Sequence, residues 1–295
     1  MDNVSQIRIF FLSGLNETNN HRFTLFFLTL LCYCVILLVN VSVIVTIMLD
    51  KNLHEPMYIL VCSCCMNALY GTAGFYPKFL WDLLSPVHVI SYSGCLVQAQ
   101  VIISFVFIDL SILSVMAYDR YVAICRPLEY HSVILIMLVC INVFLISRLK
   151  LKLCSPYIDK FFCVNWMIVK LACFPAETAV NSIVVFITVI IYFFHGFFII
   201  LSYMYLIKMC ANSIENRAKF MQTCVPHLTS LLIFLVTILF ELMIMWFDPK
   251  DFPQTFKNFV SIEFLIIPPL INPLIYGFKL TKIRNRIMVV LTLKH

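Results

Sequence analysis

Long apolar runs, separated by short polar or charged segments, make up most of this chain of 295 residues. Six of seven such runs reach the roughly 20 residues that span a bilayer. Because a backbone in lipid must satisfy its own hydrogen bonds, each run is predicted to be a transmembrane helix. The runs are Phe23–Leu49, Met57–Leu84, Cys95–Ala123, Val133–Ile146, Val180–Met209, Pro226–Trp246 and Phe259–Phe278.

The composition excludes a soluble domain. Apolar residues make up 62% of the chain and charged residues 12%, whereas soluble domains have about 45–50% and about 25%. Folding in water could not bury this much apolar surface, because even a 300-residue domain leaves about a quarter of its unfolded surface exposed. The chain is therefore predicted to be a polytopic membrane protein.

The segment before the first run is polar and lacks the basic start, apolar core and cleavage site of a secretory signal. It contains two N-glycosylation sequons, at Asn3 and Asn16, which favour an extracellular N-terminus. A third sequon, at Asn40, lies inside an apolar run, where glycosylation is impossible if the run spans the membrane. Lys and Arg divide almost equally between the two sides of the membrane, so charge does not decide the orientation.

The 13 cysteines fall into two sets. Nine lie in spans or at proposed cytosolic ends, where they are expected to act as small apolar packing residues. The other four, Cys95, Cys154, Cys163 and Cys173, lie on the proposed outer side. Four cysteines in an oxidising compartment indicate two disulfides, and the sequence leaves all three pairings open.

Several stretches together resemble one receptor family. Positions 116–128 read MAYDRYVAICRPL, which is close to the signature at the end of the third helix of olfactory receptors, within the rhodopsin-like G-protein-coupled receptors. Four more agree with that family in order and spacing, the last with NPxxY: Leu53–Tyr58, Ser202–Tyr203, Arg217–Leu228 and Pro268–Gly277. The resemblance covers nearly the whole chain, and Leu69–Lys78 looks like fish members.

This resemblance implies an all-α membrane protein with a seven-transmembrane helix bundle at residues 23–278. An extracellular N-terminus, 1–22, precedes it, and a short amphipathic, basic C-terminal helix, 279–295, follows on the cytoplasmic leaflet. The implied disulfides are Cys95–Cys163 and Cys154–Cys173. The expected location is the plasma membrane, and the expected partners are a small odorant, a heterotrimeric G protein of the stimulatory, olfactory type and membrane lipid. No cofactor, structural or catalytic metal, or nucleic acid is expected as a partner. A sodium ion is considered only at Asp109.

Residues at the inner helix ends are expected to form the activation switch. An Arg in the membrane is unfavourable unless it is paired or hydrated, and Asp119 neutralises Arg120 in the resting receptor by this resemblance. Asn272 and Pro273 break the seventh helix, because proline has no N–H, and Asn272 is expected to satisfy a freed group. The full set is Asp119, Arg120, Tyr121, Tyr203, Asn272, Pro273 and Tyr276.

Asp109 lies three helical turns before Arg120, and a carboxylate in mid-membrane is by default a functional-site hypothesis. The resemblance suggests a sodium or polar site there, with Asn40 as a member. However, the second-helix position that is commonly Asp in the family is Ala68 in this chain. The alternative is a protonated Asp109 that hydrogen-bonds within the bundle.

No motif marks the ligand pocket, which family geometry places in the outer half of the third, fifth, sixth and seventh helices. Glu241 and Glu263, near the outer ends of the last two, are expected either to meet a ligand amine or to extend to the interface. The other candidates are nearly all apolar, as small-molecule pockets are, although each type is also common in cores. They are Ile102, Ile103, Val106, Phe107, Ile187, Ile191, Ile238, Leu239, Leu242, Ile262 and Leu265.

The chain departs from the family at the fourth helix, which is apparently truncated. The run 133–146 is short, and Arg148 and Lys150 follow it directly. The predicted function is an odorant receptor that activates a stimulatory G protein, not an enzyme. The main alternative is a non-signalling or misfolded product of a receptor gene with a deleted fourth helix. A transporter or channel is a remote alternative, because no internal repeat is visible.

Overall fold

A computed structural model of the chain describes residues 8–15, 21–125, 153–173, 214–247 and 252–279, with single positions in 178–208 and positions 283, 284 and 286. Within these residues the order of elements is β1 (Ile9–Leu12), α1 (Arg22–Leu49), a 3-10 turn (Lys51–Leu53), α2 (Pro56–Leu84), β2 (Val89–Ser91), α3 (Tyr92–Cys125), β3 (Tyr157–Ile158), α4 (Asn165–Lys170), α5 (Ile214–Phe247) and α6 (Gln254–Lys279).

The long helices confirm four of the predicted spans. The first, second, third and seventh spans are α1, α2, α3 and α6, each long and apolar enough to cross a membrane. The sixth predicted span, Pro226–Trp246, lies within α5, which begins earlier, at Ile214. Among the residues whose side chains the structure describes, Leu228–Ile244 form an apolar helical segment. The described positions between 183 and 208 are helical, and the fourth predicted span, 133–146, lies outside the described residues.

The outer face of the bundle is apolar and its interior contains polar side chains. On α1, for example, Phe23 and Leu31 are 74% and 63% exposed, whereas Asn40 is fully buried. Lipid tails are as apolar as these exposed side chains, so they need no protein partner in a bilayer. The pattern is the one expected of a bundle surrounded by lipid.

The helices approach closely where small residues allow it. A Cβ atom placed on Gly71 of α2 would lie 2.6 Å from Cγ and Cδ2 of Phe105 on α3. Small residues bring helix backbones together in membranes. The absence of a side chain at Gly71 therefore lets the buried Phe105 ring pack directly on the α2 backbone.

A small sheet covers one end of the bundle, which we call the sheet end. Its strand order is β2-β1-β3, with β1 antiparallel to β2 and parallel to β3. Asn258 of α6 donates a hydrogen bond to the carbonyl of Gly14 (2.5 Å), which attaches the segment after β1 to the bundle. The polar N-terminal head predicted from the sequence thus contains a strand that sequence analysis missed.

Two disulfides hold the loop residues at the sheet end. Cys95, near the start of α3, is bonded to Cys163, and Cys154 is bonded to Cys173. These are the pairs that the family resemblance implies.

The opposite end, which we call the tail end, carries residues that follow α6. Positions 283, 284 and 286 are helical, and Ile283 is fully buried in a core cluster with Val43 and Leu53. Arg286 Nε lies 3.3 Å from Asp50 Oδ2, just after α1. These contacts fix the start of the predicted C-terminal helix against the bundle.

Candidate functional site

Polar contacts converge on the prolines in the middle of α6. Pro273 has no N–H, so the carbonyl of residue 269, one turn earlier, loses its helical partner. Asn40 of α1 supplies one, because its Nδ2 donates to Pro269 O (2.9 Å) as well as to Ile36 O (2.8 Å). That Asn272 satisfies a freed group of this helix stays a prediction.

Asn272 joins α6 to α5. Its Oδ1 accepts a hydrogen bond from Ser230 Oγ (2.7 Å), and both residues are buried. One turn further on, Tyr276 OH donates to Met116 Sδ of α3 (3.6 Å). With Asn40, these side chains connect α6 to three other helices over about two turns of α6.

The remaining switch residues lie at the tail end of α3 or outside the described part. Asp119, Arg120 and Tyr121 fall near the end of α3, and their side chains are outside the described residues. Tyr203 and the sequons at Asn3 and Asn16 are likewise outside them. Their roles stay predictions.

Asp109 is buried between α2, α3 and α6. It is 2% exposed, and its Oδ1 accepts a hydrogen bond from Asn67 Nδ2 (3.2 Å), which also donates to Phe105 O (2.9 Å). Its Oδ2 has no hydrogen-bond partner among the described residues. The predicted second member of this site, Asn40, is bonded to α6 instead.

A cavity of about 10 Å³ adjoins Asp109, which is about the volume that one water molecule requires. Among the described residues that line it, Asp109 is the one with a carboxylate. A free carboxylate oxygen beside such a space fits a small monovalent cation such as sodium, and it also fits a water molecule. The lining residues are Cys64, Cys65, Ala68, Phe105, Asp109, Pro268, Pro269, Asn272, Pro273 and Tyr276.

The predicted pocket residues separate into three groups. Ile102 and Leu265 are buried in a cluster with Phe161 and Phe162 of the loop after β3, and Val106, Ile238 and Ile262 pack against that cluster. Phe107 is buried, and Ile103 and Leu242 are half-buried. Ile187 and Leu239 are 45% and 62% exposed, so they lie on the outer surface, and Ile191 is outside the described residues.

The sheet end of this cluster holds an ion pair that sequence analysis missed. Lys160, in the loop after β3, is only 5% exposed, and its Nζ binds Glu241 Oε1 of α5. The same Nζ donates to Ser261 Oγ of α6 (2.9 Å), and Ser261 donates to Glu241 Oε2 (2.7 Å). Glu241 is thus paired within the protein instead of extending to the interface. The one feature of the sequence that could have indicated this ion pair is the excess of basic residues in the segment between the fourth and fifth predicted spans.

Comparison with known proteins identifies the family. The family described as olfactory receptor matches residues 29–294. The chain is 30% identical to olfactory receptor 5B21 of Mus musculus over 309 residues (99% of this chain and 95% of that protein), and 32% identical to olfactory receptor 5G26 of Mus musculus over 306 residues (97% and 94%). The crystal structure of squid rhodopsin matches with a TM-score of 0.66 at 16% identity, over 92% of this chain and 85% of that one. This structural match shows that the chain has a rhodopsin-like seven-helix fold. The chain belongs to the olfactory receptor family.

Proposed function

We propose that this protein binds a small odorant in the sheet-end half of the bundle and activates a stimulatory, olfactory-type G protein at the tail end. A small-molecule ligand and a G protein are the partners of the family to which the chain belongs. In this proposal residues 1–22 and the sheet are extracellular, 23–278 form the transmembrane domain and 279–295 lie in the cytoplasm.

The observation that carries the proposal is the set of contacts that α6 makes between the two ends. Asn40 bonds the Pro269 carbonyl, Ser230 bonds Asn272, and Tyr276 bonds Met116. Because Pro273 interrupts the α6 ladder, this segment has fewer backbone hydrogen bonds that resist bending. A ligand that repacks α5 against α6 would alter the Ser230 contact and move the tail end of the bundle, which is how binding at one end biases a packing change at the other.

Asp109 is the residue that would hold a sodium ion in this proposal. When bound, the ion would neutralise the carboxylate within the bundle. A proton on Oδ2 of Asp109 would achieve the same neutrality, and in both states Oδ1 can accept the hydrogen bond from Asn67.

The experiment is a signalling assay on the full chain with an N-terminal tag. Surface display is measured with an antibody to the tag, and cAMP is then recorded on a panel of odorants. We expect Arg120→Ala to abolish the cAMP response while display is retained, because the residue is proposed to form the G-protein cleft. Arg284→Ala, which removes an exposed Arg from the same end, is the matched control and should still signal. Normal signalling by Arg120→Ala would overturn the role given to Arg120.

A non-signalling product is the second candidate, and one observation favours it. The alignment with olfactory receptor 5B21 covers 309 residues while this chain has 295, so at least 14 residues of the relative have no counterpart. The shortened fourth helix would account for them. Absence of surface display by the native chain would favour this candidate over the receptor.

A further inference from the structure

Lys160 and Glu241, joined by Ser261, place a pair of opposite charges beside a cluster of buried apolar residues at the sheet end. Lys160 immediately precedes Phe161 and Phe162, which pack with Ile102 and Leu265 in the sheet-end cluster. Its ammonium also lies 5.4 Å from the centre of the Phe162 ring. The pair therefore borders the region where the ligand is proposed to bind, and it joins the loop to α5 and α6.

The energetics of such a pair depend on its remaining intact. Removing one partner of a buried ion pair is strongly destabilising, because it leaves a charge without compensation in a poorly solvated site. A ligand with a single charge would have the same effect. If an amine took the place of Lys160 at Glu241, the Lys160 ammonium would be left unpaired, and if a carboxylate took the place of Glu241, the Glu241 carboxylate would be left unpaired.

We propose that Lys160 and Glu241 determine the charge specificity of the ligand site. While they are paired, they exclude singly charged ligands and leave the site to neutral ones. This inference rests on the proposed function, since it names the class of ligand for the same site. Discrimination of this kind comes from an unpaired charge in the wrong complex, not from an extra contact in the right one.

The proposal requires that each single variant reverse the preference. In Glu241→Ala, the Lys160 ammonium and the Ser261 hydroxyl remain beside the space of the lost carboxylate, so the site should take carboxylates. In Lys160→Ala, Glu241 and Ser261 remain beside the space of the lost ammonium, so the site should take primary amines. Hydrogen bonds to a charged group are roughly twice as strong as neutral ones, which makes the reversal measurable.

The experiment measures ligand-induced shifts in the thermal unfolding midpoint of the purified full-length receptor at neutral pH. The probes are straight-chain alcohols, carboxylates and primary amines of matched length, from ethyl to decyl. We expect alcohols alone to raise the midpoint of the native protein, carboxylates to raise that of Glu241→Ala, and amines to raise that of Lys160→Ala. In each variant the favoured class should act at a concentration at least about tenfold lower than the other charged class, equivalent to about 1.4 kcal/mol.

Two controls separate charge from general damage to the site. Lys51→Ala and Glu55→Ala each remove one exposed charge at the tail end, far from the proposed ligand site. Both should keep the preference of the native protein for neutral probes. Glu241→Gln and Lys160→Met preserve most of the side-chain volume, so the comparison can still be made if the alanine variants unfold.

The proposal is overturned if carboxylates or amines stabilise the native protein as well as alcohols do. It is also overturned if the variants at Glu241 gain no shift with carboxylates, or if the variants at Lys160 gain no shift with amines. Failure of the proposed function is a different result. A receptor whose charge preference switches as expected but which produces no cAMP retains the charge assignment and loses the signalling role.

Discussion

At the scale of single residues, His88 shows how one side chain couples the sheet to the bundle. It is 6% exposed, and its Nε2 lies 3.1 Å from Arg22 Nη2 of α1. Because a guanidinium only donates, the ring must be neutral and accept at Nε2. The His88 carbonyl accepts a hydrogen bond from Leu12 N of β1 (2.9 Å). Protonation of this ring would therefore disturb the contact that attaches the N-terminal strand.

The stability of the sheet end should fall on mild acidification. Burial lowers the pKa of His88, the Arg22 and Lys78 charges lower it further, and Asp82 opposes them. The unfolded chain then binds a proton more readily than the folded protein, so stability rises with pH in this window. The contribution should be complete above about 6.5, the ordinary histidine pKa, and should be lost as the pH falls toward the folded value.

The measurement is the thermal unfolding midpoint of the purified protein from about pH 5 to pH 8, the range in which histidine changes charge. His88→Gln is the comparison, because it keeps a neutral hydrogen-bonding side chain that does not titrate. Its midpoint should depend less on pH than that of the native protein, although the other six of the seven histidines remain. Equal pH dependence of the two proteins would contradict the assignment to His88.

At the scale of elements, the contact between α2 and α3 depends on Gly71. Its neighbour Phe105 is 2% exposed and packs in the sheet-end cluster with Phe75 and Phe264. The Phe105 carbonyl also accepts from Asn67. The ring is therefore held from several sides and has little room to move away from an added methyl group.

Gly71→Ala should destabilise the protein by about 1–3 kcal/mol, the usual effect of overpacking a well-filled core. Gly196→Ala is the matched control, because Gly196 is helical and a Cβ there would meet no described atom within 4 Å. In that position alanine should be neutral or stabilise by up to about 1 kcal/mol. The measurement is the unfolding midpoint in a denaturing detergent of each variant, compared with that of the native protein. Equal behaviour would show that α3 retreats freely from α2.

Sequence patterns predicted the first two helices closely, placed the starts of α5 and α6 too late, and missed α4 and the strands. The bounds of α1 and α2 were expected to within one residue, since charged residues or Pro56 interrupt the apolar runs there. The strand Ile9–Leu12 has four apolar residues in a row, so no alternation distinguishes its buried Phe10 from its exposed Phe11. Its partners are distant in the chain, and such pairing leaves no local signal.

At the scale of the whole molecule, family resemblance supplied the bundle and both disulfide pairs, while the contacts of the site had to come from the structure. Asn40 and Pro269 are 229 residues apart, and Lys160 and Glu241 are 81 apart. Periodicity reports which face of one helix is apolar, but it does not report which residue of another element meets that face. Nothing in the sequence around Lys160 therefore indicates that its side chain is buried against α5 and α6.

The fourth predicted span, 133–146, is short for a membrane-spanning helix, which bears on whether the whole molecule reaches the cell surface. A helix of 14 residues rises about 21 Å, whereas the hydrocarbon core of a bilayer is about 30 Å thick. We expect that inserting the corresponding segment of olfactory receptor 5B21 into the run 133–146 will raise surface display severalfold, because a stability gain of 1–2 kcal/mol changes abundance by about that factor. The control insert has the same length, with two of its apolar residues replaced by Asp, and should not raise display. If the native chain already reaches the surface as well as the extended one, the bilayer accommodates the short helix by local thinning, and the shortage of residues has no effect on assembly.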